Sequence, residues 1–502
     1  MNLYHLFARS IADLKDSPAL IDQGGVTVTF GELDARVAHT VTLLAQHGIT
    51  RGSTVLMLQP MGIEMYVVLL AVIRAGAMAM FFDPSAGRAH IARCCARRMP
   101  DAIAAGWKGH TLRLVSPSLR RIRTKLAFGR VPFCDASFHQ SAELAPTTLI
   151  TDVPDTAPAL ITFTSGSTGV PKAAVRTHGL LRAQYERLVG AIDLAPGQRD
   201  LTTLPVFVLA NLAAGVTSLL PGSKTAHRER KPDRTVISPT NLGFLAFLTA
   251  PTLRRIYTGG GPVYLDLLDL FAKSFPAARV TVLYGSTEAE PIAHVHADAL
   301  DESDREAMRN AGGLCVGAPI ERIALRVIAD VFGTPIAPMT ARELDSRTMP
   351  ARAIGEIVVS GDHVLPGYLD GVGDDETKFR VDGVVWHRTG DSGYLDERGR
   401  LWLTGRCAAR IDDEHGRTYT LPVECAARAR LGGRTAYVLH RGRRILLATS
   451  HGESVDAEGL RREIPWVHID DVRIVRQVPY DARHQAKIDY LALRRMLDRG
   501  SR

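Results

Sequence analysis

Cysteine is scarce and scattered in this chain of 502 residues. Its six cysteines (Cys94, Cys95, Cys134, Cys315, Cys407, Cys425) form no C-x-x-C pair. That excludes a disulfide framework and a zinc cluster and fits a reducing compartment. Long apolar runs are missing too: the most apolar stretch, Tyr66 to Phe82, is interrupted by Arg74 and is too short to cross a bilayer. The first residues, MNLYHLFARSIADLKDSP, lack the charged, apolar, then small pattern of a signal peptide. A cytoplasmic protein without a transmembrane segment is expected. Lysine is rare, with nine in the chain against 52 arginines, so the net charge of +8 is carried almost wholly by arginine. No zinc-finger, RNA-recognition or helix-turn-helix signature accompanies that charge, so nucleic acid is not an expected partner. One basic run stands out: Arg120, Arg121, Arg123 and Lys125 read as a solvated helix face, with contact to anionic lipid or a partner protein as the alternative.

What is present is the ordinary balance of a globular protein, 46% hydrophobic and 23% charged. The length exceeds what one hydrophobic core serves, so two or more domains are expected. Apolar residues at helical spacing predict a helix from Phe30 to a Gly48 stop, and Ile63 to Ala75 reads as a helix buried on most sides. Strands are predicted at Thr54–Gln59, Ala77–Phe82, Ala159–Thr164, Val236–Ile237 and Val280–Leu283. This alternation implies an α/β architecture with largely parallel sheets. From Gly355 onwards short strands between Gly- and Asp-rich turns predict a smaller β-rich subdomain. After Gly405-Arg406 a small α+β unit is expected, with strands at Thr435–Leu439, Ile445–Ala448 and Val472–Val475 and a last helix near Tyr490 to Leu497.

The strongest local signal runs from Leu160 to Lys172. An apolar strand enters Thr164-Ser165-Gly166-Ser167-Thr168-Gly169, followed by Val170-Pro171-Lys172. Glycines let backbone N–H groups turn around an anion, hydroxyls add donors, and the lysine adds a point charge. The segment is a phosphate-cradling loop, though its spacing is not that of a Walker A motif.

This loop resembles the nucleotide loop of the adenylate-forming superfamily, which holds acyl-CoA synthetases, peptide-synthetase adenylation domains and luciferases. Further motifs follow in the order of that family. Thr258-Gly259-Gly260-Gly261-Pro262 resembles its glycine-rich turn beside adenine. Tyr284-Gly285-Ser286-Thr287-Glu288 resembles the motif that stacks adenine and places a glutamate near Mg²⁺. Thr389-Gly390-Asp391 resembles the T-G-D whose aspartate holds the ribose hydroxyls, and Gly405-Arg406 the hinge between two domains. Lys487 falls where the family keeps its catalytic lysine.

The resemblance implies a large adenylation domain, residues 1–405, and a small mobile C-terminal domain, residues 406–502, with ATP and substrate between them. It also implies roles. Glu288 and Thr168 would hold Mg²⁺, Lys172 the departing phosphates, and Lys487 the charge that develops at the α-phosphate. Carboxylate attack on ATP joins two anions, so charge neutralisation and alignment are what such a site must supply. A catalytically silent scaffold is disfavoured, because every phosphate- and metal-facing motif is intact.

Amino-acid-activating members place an aspartate in the stretch corresponding to Leu204–Leu212. Here that stretch has no acid, and an unpaired ammonium in an apolar pocket would be penalised by several kcal/mol of desolvation. An apolar carboxylic acid is therefore the expected substrate, with Phe207, Asn211, Gly260 and Gly285 as candidate contacts. The alternative reading of 204–212, an ordinary core segment, stays open.

Two departures from common acyl-CoA synthetases are informative. The hinge reads Gly405-Arg406-Cys407-Ala408-Ala409-Arg410, without the usual charged hinge residue or lysine. The closing motif reads Asp481-Ala482-Arg483-His484-Gln485-Ala486-Lys487-Ile488. This form is similar to the β-lactone synthetases of bacterial olefin and β-lactone biosynthesis, as are Asp83–Arg88, Cys94-Cys95 and Trp386–Asp391. The similarity implies adenylation of a β-hydroxy acid, ring closure by its own hydroxyl, and partner enzymes of a lipid or natural-product pathway. An acyl-CoA or acyl-carrier ligase is the alternative. His484 is a candidate base for the hydroxyl or a structural histidine. Ala173, where the family's loop has glycine after Pro-Lys, departs from the pattern.

Overall fold

Arg74, the charge that interrupts the apolar stretch, is buried in the computed structural model and fully used. Its Nη1 donates to Asp34 Oδ1 at 2.9 Å, and Nε and Nη2 donate to the carbonyls of Leu149 and Thr147. Its guanidinium also lies over the Tyr4 ring. A buried charge is tolerated when paired and hydrogen-bonded in this way. The structure describes residues 1–164, 171–220, 232–239, 252–449, 456–480 and 487–499. The chain forms two units, Met1–Val236 with Ala246–Thr252 and Asp362–Asp374, and Ile237–Leu245 with Leu253–Gly361 and Asp375–Arg502.

In the first unit a seven-stranded sheet runs in the order Ala136–Ser137, Thr124–Ala127, Ala102–Ala105, Thr54–Leu58, Met78–Phe81, Pro158–Thr164 and Lys172–Thr177. Every pair is parallel except the last. A second set of strands orders as Thr27–Thr29, Pro18–Ile21, Thr217–Leu219, Arg199–Thr202 and Arg234–Ile237, again parallel apart from the first hairpin. Helix Ile63–Arg74 is buried along nearly its whole length and shares one apolar core with Val55 and Ala79 of the first sheet and Leu20 and Val28 of the second. A helix apolar all round belongs in such a position. Helix Phe30–Gln46 starts on a capping box, Thr29 Oγ1 accepting from Glu32 N and Glu32 Oε2 from Thr29 N. The basic run does not form a helix face. Arg120 ends the four-residue helix Pro117–Arg120, Arg121 and Arg123 lie in the following turn, and Lys125 is in strand Thr124–Ala127. The helix ends at Arg120, so the rest of the run lies beyond it.

The second unit is mixed and mostly antiparallel. Its sheet orders as Ala324–Ile328, Gly355–Ser360, Val384–Leu395, Leu401–Arg406, Leu314–Pro319, Ala289–His296, Arg279–Ser286 and Arg255–Gly259, with Lys378–Val381 beside Val384–Leu395. Only the pair Arg255–Gly259 and Arg279–Ser286 is parallel. Beyond Arg406 a three-stranded sheet, Thr435–His440, Arg443–Ala448 and Asp471–Ile474, carries apolar side chains on both faces. Tyr437 and Leu446 pack with Val423, Ala426 and Leu460, whereas Ala436, Val438 and Leu447 pack with Leu493 and Leu497. The period-two alternation of a strand separates these two cores.

Candidate active site

Eight of the predicted site residues of the second unit, spread over 228 positions from Gly260 to Lys487, line one cavity whose ≈ 980 Å³ of empty space includes open solvent. Gly260, Gly261 and Pro262 come from the turn after strand Arg255–Gly259. Tyr284 and Gly285 end strand Arg279–Ser286, and Asp391 and Arg406 come from two paired antiparallel strands. Lys487 reaches the same cavity from the C-terminal segment. The cavity's mixed polar and apolar lining suits a small-molecule site.

Asp391 is the electrostatic centre of this wall. Its Oδ2 accepts from Tyr284 Oη at 2.9 Å and its Oδ1 from Arg406 Nη1 at 2.8 Å. The strand register sets Asp391 opposite Arg406. Arg406 Nη1 also donates to the Thr389 carbonyl, and Thr389 Oγ1 accepts from Asp391 N. Burial, then the Asp391 charge, drives the Tyr284 phenol well above its usual range, so it stays a neutral donor.

Glycines in the same motif have different reasons. A Cβ on Gly259 would sit 2.3 Å from the Leu283 carbonyl oxygen of the paired strand, so Gly259 serves strand packing. It is not in the cavity wall. Gly260 has φ +79° and open space around it, which frees the wall for a ligand.

Ser286 ends strand Arg279–Ser286 and Thr287 and Glu288 follow it, all three half-buried, with Glu288 N donating to Ser286 Oγ. The Glu288 charge acts on His387. Burial, and next the adjacent Lys378 ammonium, push this imidazole down to about 3, so it is neutral. Lys378 Nζ lies 3.1 Å from His387 Nδ1, and both side chains are buried.

In the first unit Thr164 pairs with Lys172 across the antiparallel hairpin Pro158–Thr164 and Lys172–Thr177. Lys172 Nζ lies 5.8 Å from the centre of the Tyr368 ring, and its side chain covers Gly373, where a Cβ would come within 2.8 Å of it. Ser165, Gly166, Ser167, Thr168 and Gly169 lie outside the described residues, as does His484. Ala173 is a fully buried strand residue packed with Ile161 and Phe163, which accounts for a methyl group where the family has glycine.

Phe207 and Asn211 sit on helix Pro205–Ala213, both buried. The amide of Asn211 donates to Asp200 Oδ2 at 2.7 Å and Ser218 Oγ at 3.1 Å. Arg234, also buried, closes this internal cluster 3.7 Å from Asp200. The Asn211 amide nitrogen thereby helps hold its helix on the sheet.

Sequence reasoning missed Glu424. It lies within helix Thr420–Leu431, lines the same cavity as Lys487 and is buried. Its Oε1 accepts from Tyr437 N at 3.1 Å and from Tyr490 Oη at 2.8 Å. Burial pushes its carboxyl up to about 7. The available signal is an acid inside the otherwise apolar run Leu421-Pro422-Val423-Glu424-Cys425-Ala426. Lys378 and His387 were likewise missed as a pair, because their contact joins two strands.

The AMP-binding enzyme family profile matches residues 7–369. An olefin beta-lactone synthetase from Stenotrophomonas maltophilia is 32% identical over 428 residues, covering 80% of this chain and 76% of the relative. Among solved structures, the anthranilate CoA ligase AuaEII in complex with anthranoyl-AMP superposes with TM-score 0.82 at 15% identity, over 100% of this chain and 98% of that one. ATP-bound MatB from Rhodopseudomonas palustris superposes with TM-score 0.79 at 21% identity, over 99% of both chains. At these identities the superpositions show the fold alone. The profile match over most of the chain and the ordered motifs lead to one conclusion: this chain belongs to the AMP-binding enzyme family and is an adenylate-forming ligase.

Proposed function

We propose that the protein activates an apolar 3-hydroxy carboxylic acid with Mg-ATP and closes the acyl-adenylate to a β-lactone. The observation that carries the lactone step is the 32% identity to an olefin beta-lactone synthetase. The R-H-x-A-K form around Lys487 and the uncharged segment after Arg406 support it. Adenylation is supported by the cavity that joins Tyr284, Asp391, Arg406 and Lys487.

Asp391, held by Tyr284 and Arg406, presents a fixed acceptor for ribose hydroxyls. Gly260, Gly261 and Gly285 leave room for the base and for the reacting carboxylate. Lys487 meets the negative charge that gathers where the carboxylate oxygen bonds to the α-phosphorus and pyrophosphate leaves. Lys172 and residues 164–169 hold the departing phosphates. A hard cation takes oxygen ligands, commonly one or two carboxylates plus phosphates. The half-buried Glu288 carboxylate fits that donor set, and among the described residues no group of three acidic, His or Cys side chains is placed to hold a metal ion by itself. Glu288, with Thr168, would hold Mg²⁺ beside the nucleotide, where it supplies charge neutralisation for the phosphates.

In the second step the 3-hydroxyl oxygen bonds to the acyl carbon, the bond from that carbon to the phosphate oxygen breaks, and AMP leaves. The hydroxyl proton passes to a base, for which His484 is the candidate. Alignment of hydroxyl and carbonyl is what the site must enforce, since the four-membered ring is strained. The domains divide at residue 405, and the segment 406–502 turns about Gly405, whose φ of +128° favours glycine. Closure of this small domain brings Lys487 to the α-phosphate.

Product analysis tests the reading. Incubation with Mg-ATP and 3-hydroxy or plain fatty acids, with and without CoA, is followed by mass spectrometry, NMR and AMP chromatography. A dehydrated cyclic product from the 3-hydroxy acids without CoA is expected. A thioester formed only with CoA would instead make the protein an acyl-CoA ligase.

A further inference from the structure

The net charge of +8 is not spread over the chain. Between Ala102 and Cys134 there are seven cationic residues and no Asp or Glu. Lys108, Arg120, Arg121, Arg123 and Arg130 are all exposed. Among the described residues none of these five pairs with a carboxylate, whereas Arg97, Arg182 and Arg187 of the same unit do.

The same segment projects large apolar side chains into solvent. Trp107 is 60% exposed and Leu114 74% exposed. Seven residues apart on helix Trp107–Val115, they share one face. Phe133 is 92% exposed and stands on a backbone with φ +57°, a conformation that a bulky residue rarely adopts. This loop is fastened to the helix. Arg113 Nη2 donates to the Phe133 carbonyl at 3.2 Å, and Arg113 Nη1 lies 2.9 Å from His110 Nδ1. His110 Nε2 in turn lies 3.0 Å from the Leu126 carbonyl, which can only accept, so Nε2 carries the proton and Nδ1 accepts from Arg113. Helix, strand and loop are thus one braced surface, with aromatic and aliphatic tips rising among unpaired cations.

We propose that this surface docks the enzyme on a membrane carrying anionic lipid headgroups. The cations neutralise the headgroups, and Trp107, Leu114 and Phe133 enter the boundary between headgroups and acyl chains. Charge complementarity selects an anionic partner. A nucleic acid would satisfy the cations but has no apolar phase for Leu114 and Val115. An acidic protein would need a dedicated pocket for each projecting side chain, which a fluid acyl layer does not require.

The test is co-sedimentation of the full-length protein with vesicles of phosphatidylcholine alone or mixed with phosphatidylglycerol, across a salt series. Binding to the mixed vesicles only, weakening as salt rises, is expected. The combined substitution R120Q, R121Q and R123Q should weaken it on the order of a hundredfold, at about 1 kcal/mol per cation near an anionic surface. ATP–pyrophosphate exchange at the wild-type rate shows that this variant is folded. If it does not fold, F133S carries the test, because removing one tip should weaken vesicle binding at every salt concentration. Trp107 provides a direct signal: a blue shift of tryptophan fluorescence on the vesicles that is lost in W107F. Equal sedimentation with neutral and anionic vesicles overturns the proposal. So does binding of single-stranded nucleic acid or an acidic polypeptide in preference to the vesicles.

Discussion

Tyr284 and Asp391, 107 residues apart, are joined by a hydrogen bond of 2.9 Å from the phenol to the carboxylate. The bond links the Y-G-S-T-E strand to the T-G-D strand at the cavity wall and, with Arg406, leaves Asp391 one orientation. Tyr284→Phe removes one of these two anchors while keeping the ring. A hydrogen bond to a charged group is worth about 1.5–3 kcal/mol, so the KM for ATP should rise about tenfold or more. ATP–pyrophosphate exchange measures it, and an unchanged KM would show that Asp391 needs no help from Tyr284.

Lys487→Ala should separate binding from chemistry. The lysine lines the cavity that Asp391 and Tyr284 share, but its proposed partner is the charge that appears during adenylation. Nucleotide titration should give an affinity close to wild type, and exchange should fall by about a hundredfold or more, the scale of losing one electrostatic contact in a transition state. Full exchange activity would remove Lys487 from the mechanism.

Glu424 predicts a pH dependence of stability. Its carboxyl has a pKa of about 7 in the folded protein against an ordinary 4.5. Between these values the folded chain keeps a proton that the unfolded chain releases, so stability falls as pH rises through the window and levels off above about 7. The loss is on the order of 3 kcal/mol at 1.36 kcal/mol per unit. Glu424→Gln should flatten this slope. Urea unfolding of both proteins at pH 5 and pH 7.5 reads it directly, and parallel slopes would contradict the assignment.

Neighbouring glycines should fail differently. In Gly259→Ala the new Cβ meets backbone at 2.3 Å, and backbone within a paired strand cannot yield. The cost is about 1–3 kcal/mol or more, and the thermal midpoint should drop. Gly260→Ala meets nothing within 4 Å and costs about 1–2 kcal/mol for its positive φ. That variant should stay folded and lose ATP affinity, because its methyl group enters the cavity. Equal effects on stability and binding would erase the distinction.

Strands and helices with a single clear period are legible in the amino-acid sequence. Ile63–Arg74, Thr54–Leu58 and Pro158–Thr164 fall where apolar runs and turn residues put them, because local burial pattern dictates local conformation. The basic run reads as a helix face and is not one, since four charges at irregular spacing carry no period and Pro117 controls where the short helix starts. Arg74 reads as an interruption and is a paired core residue, a distinction that rests on Asp34, Leu149 and Thr147 from distant parts of the chain. Asn211 reads as a substrate contact or a core residue with equal ease, and its hydrogen bonds to Asp200 and Ser218 appear only in the fold.

The available chemistry is written in contiguous patterns. The ordered Ser/Thr/Gly loop, Y-G-S-T-E, T-G-D, Gly-Arg and a late lysine can each be read along the chain, and each carries its own reason for its residue types. Which side chains meet is a matter of folding in three dimensions. Folding joins Tyr284 to Asp391, sets Lys378 against His387, buries Glu424 in the wall of the cavity that Lys487 also lines and braces Phe133 against Arg113. Those pairings depend on strand register and on contacts between segments far apart in the chain, which local periodicity does not encode.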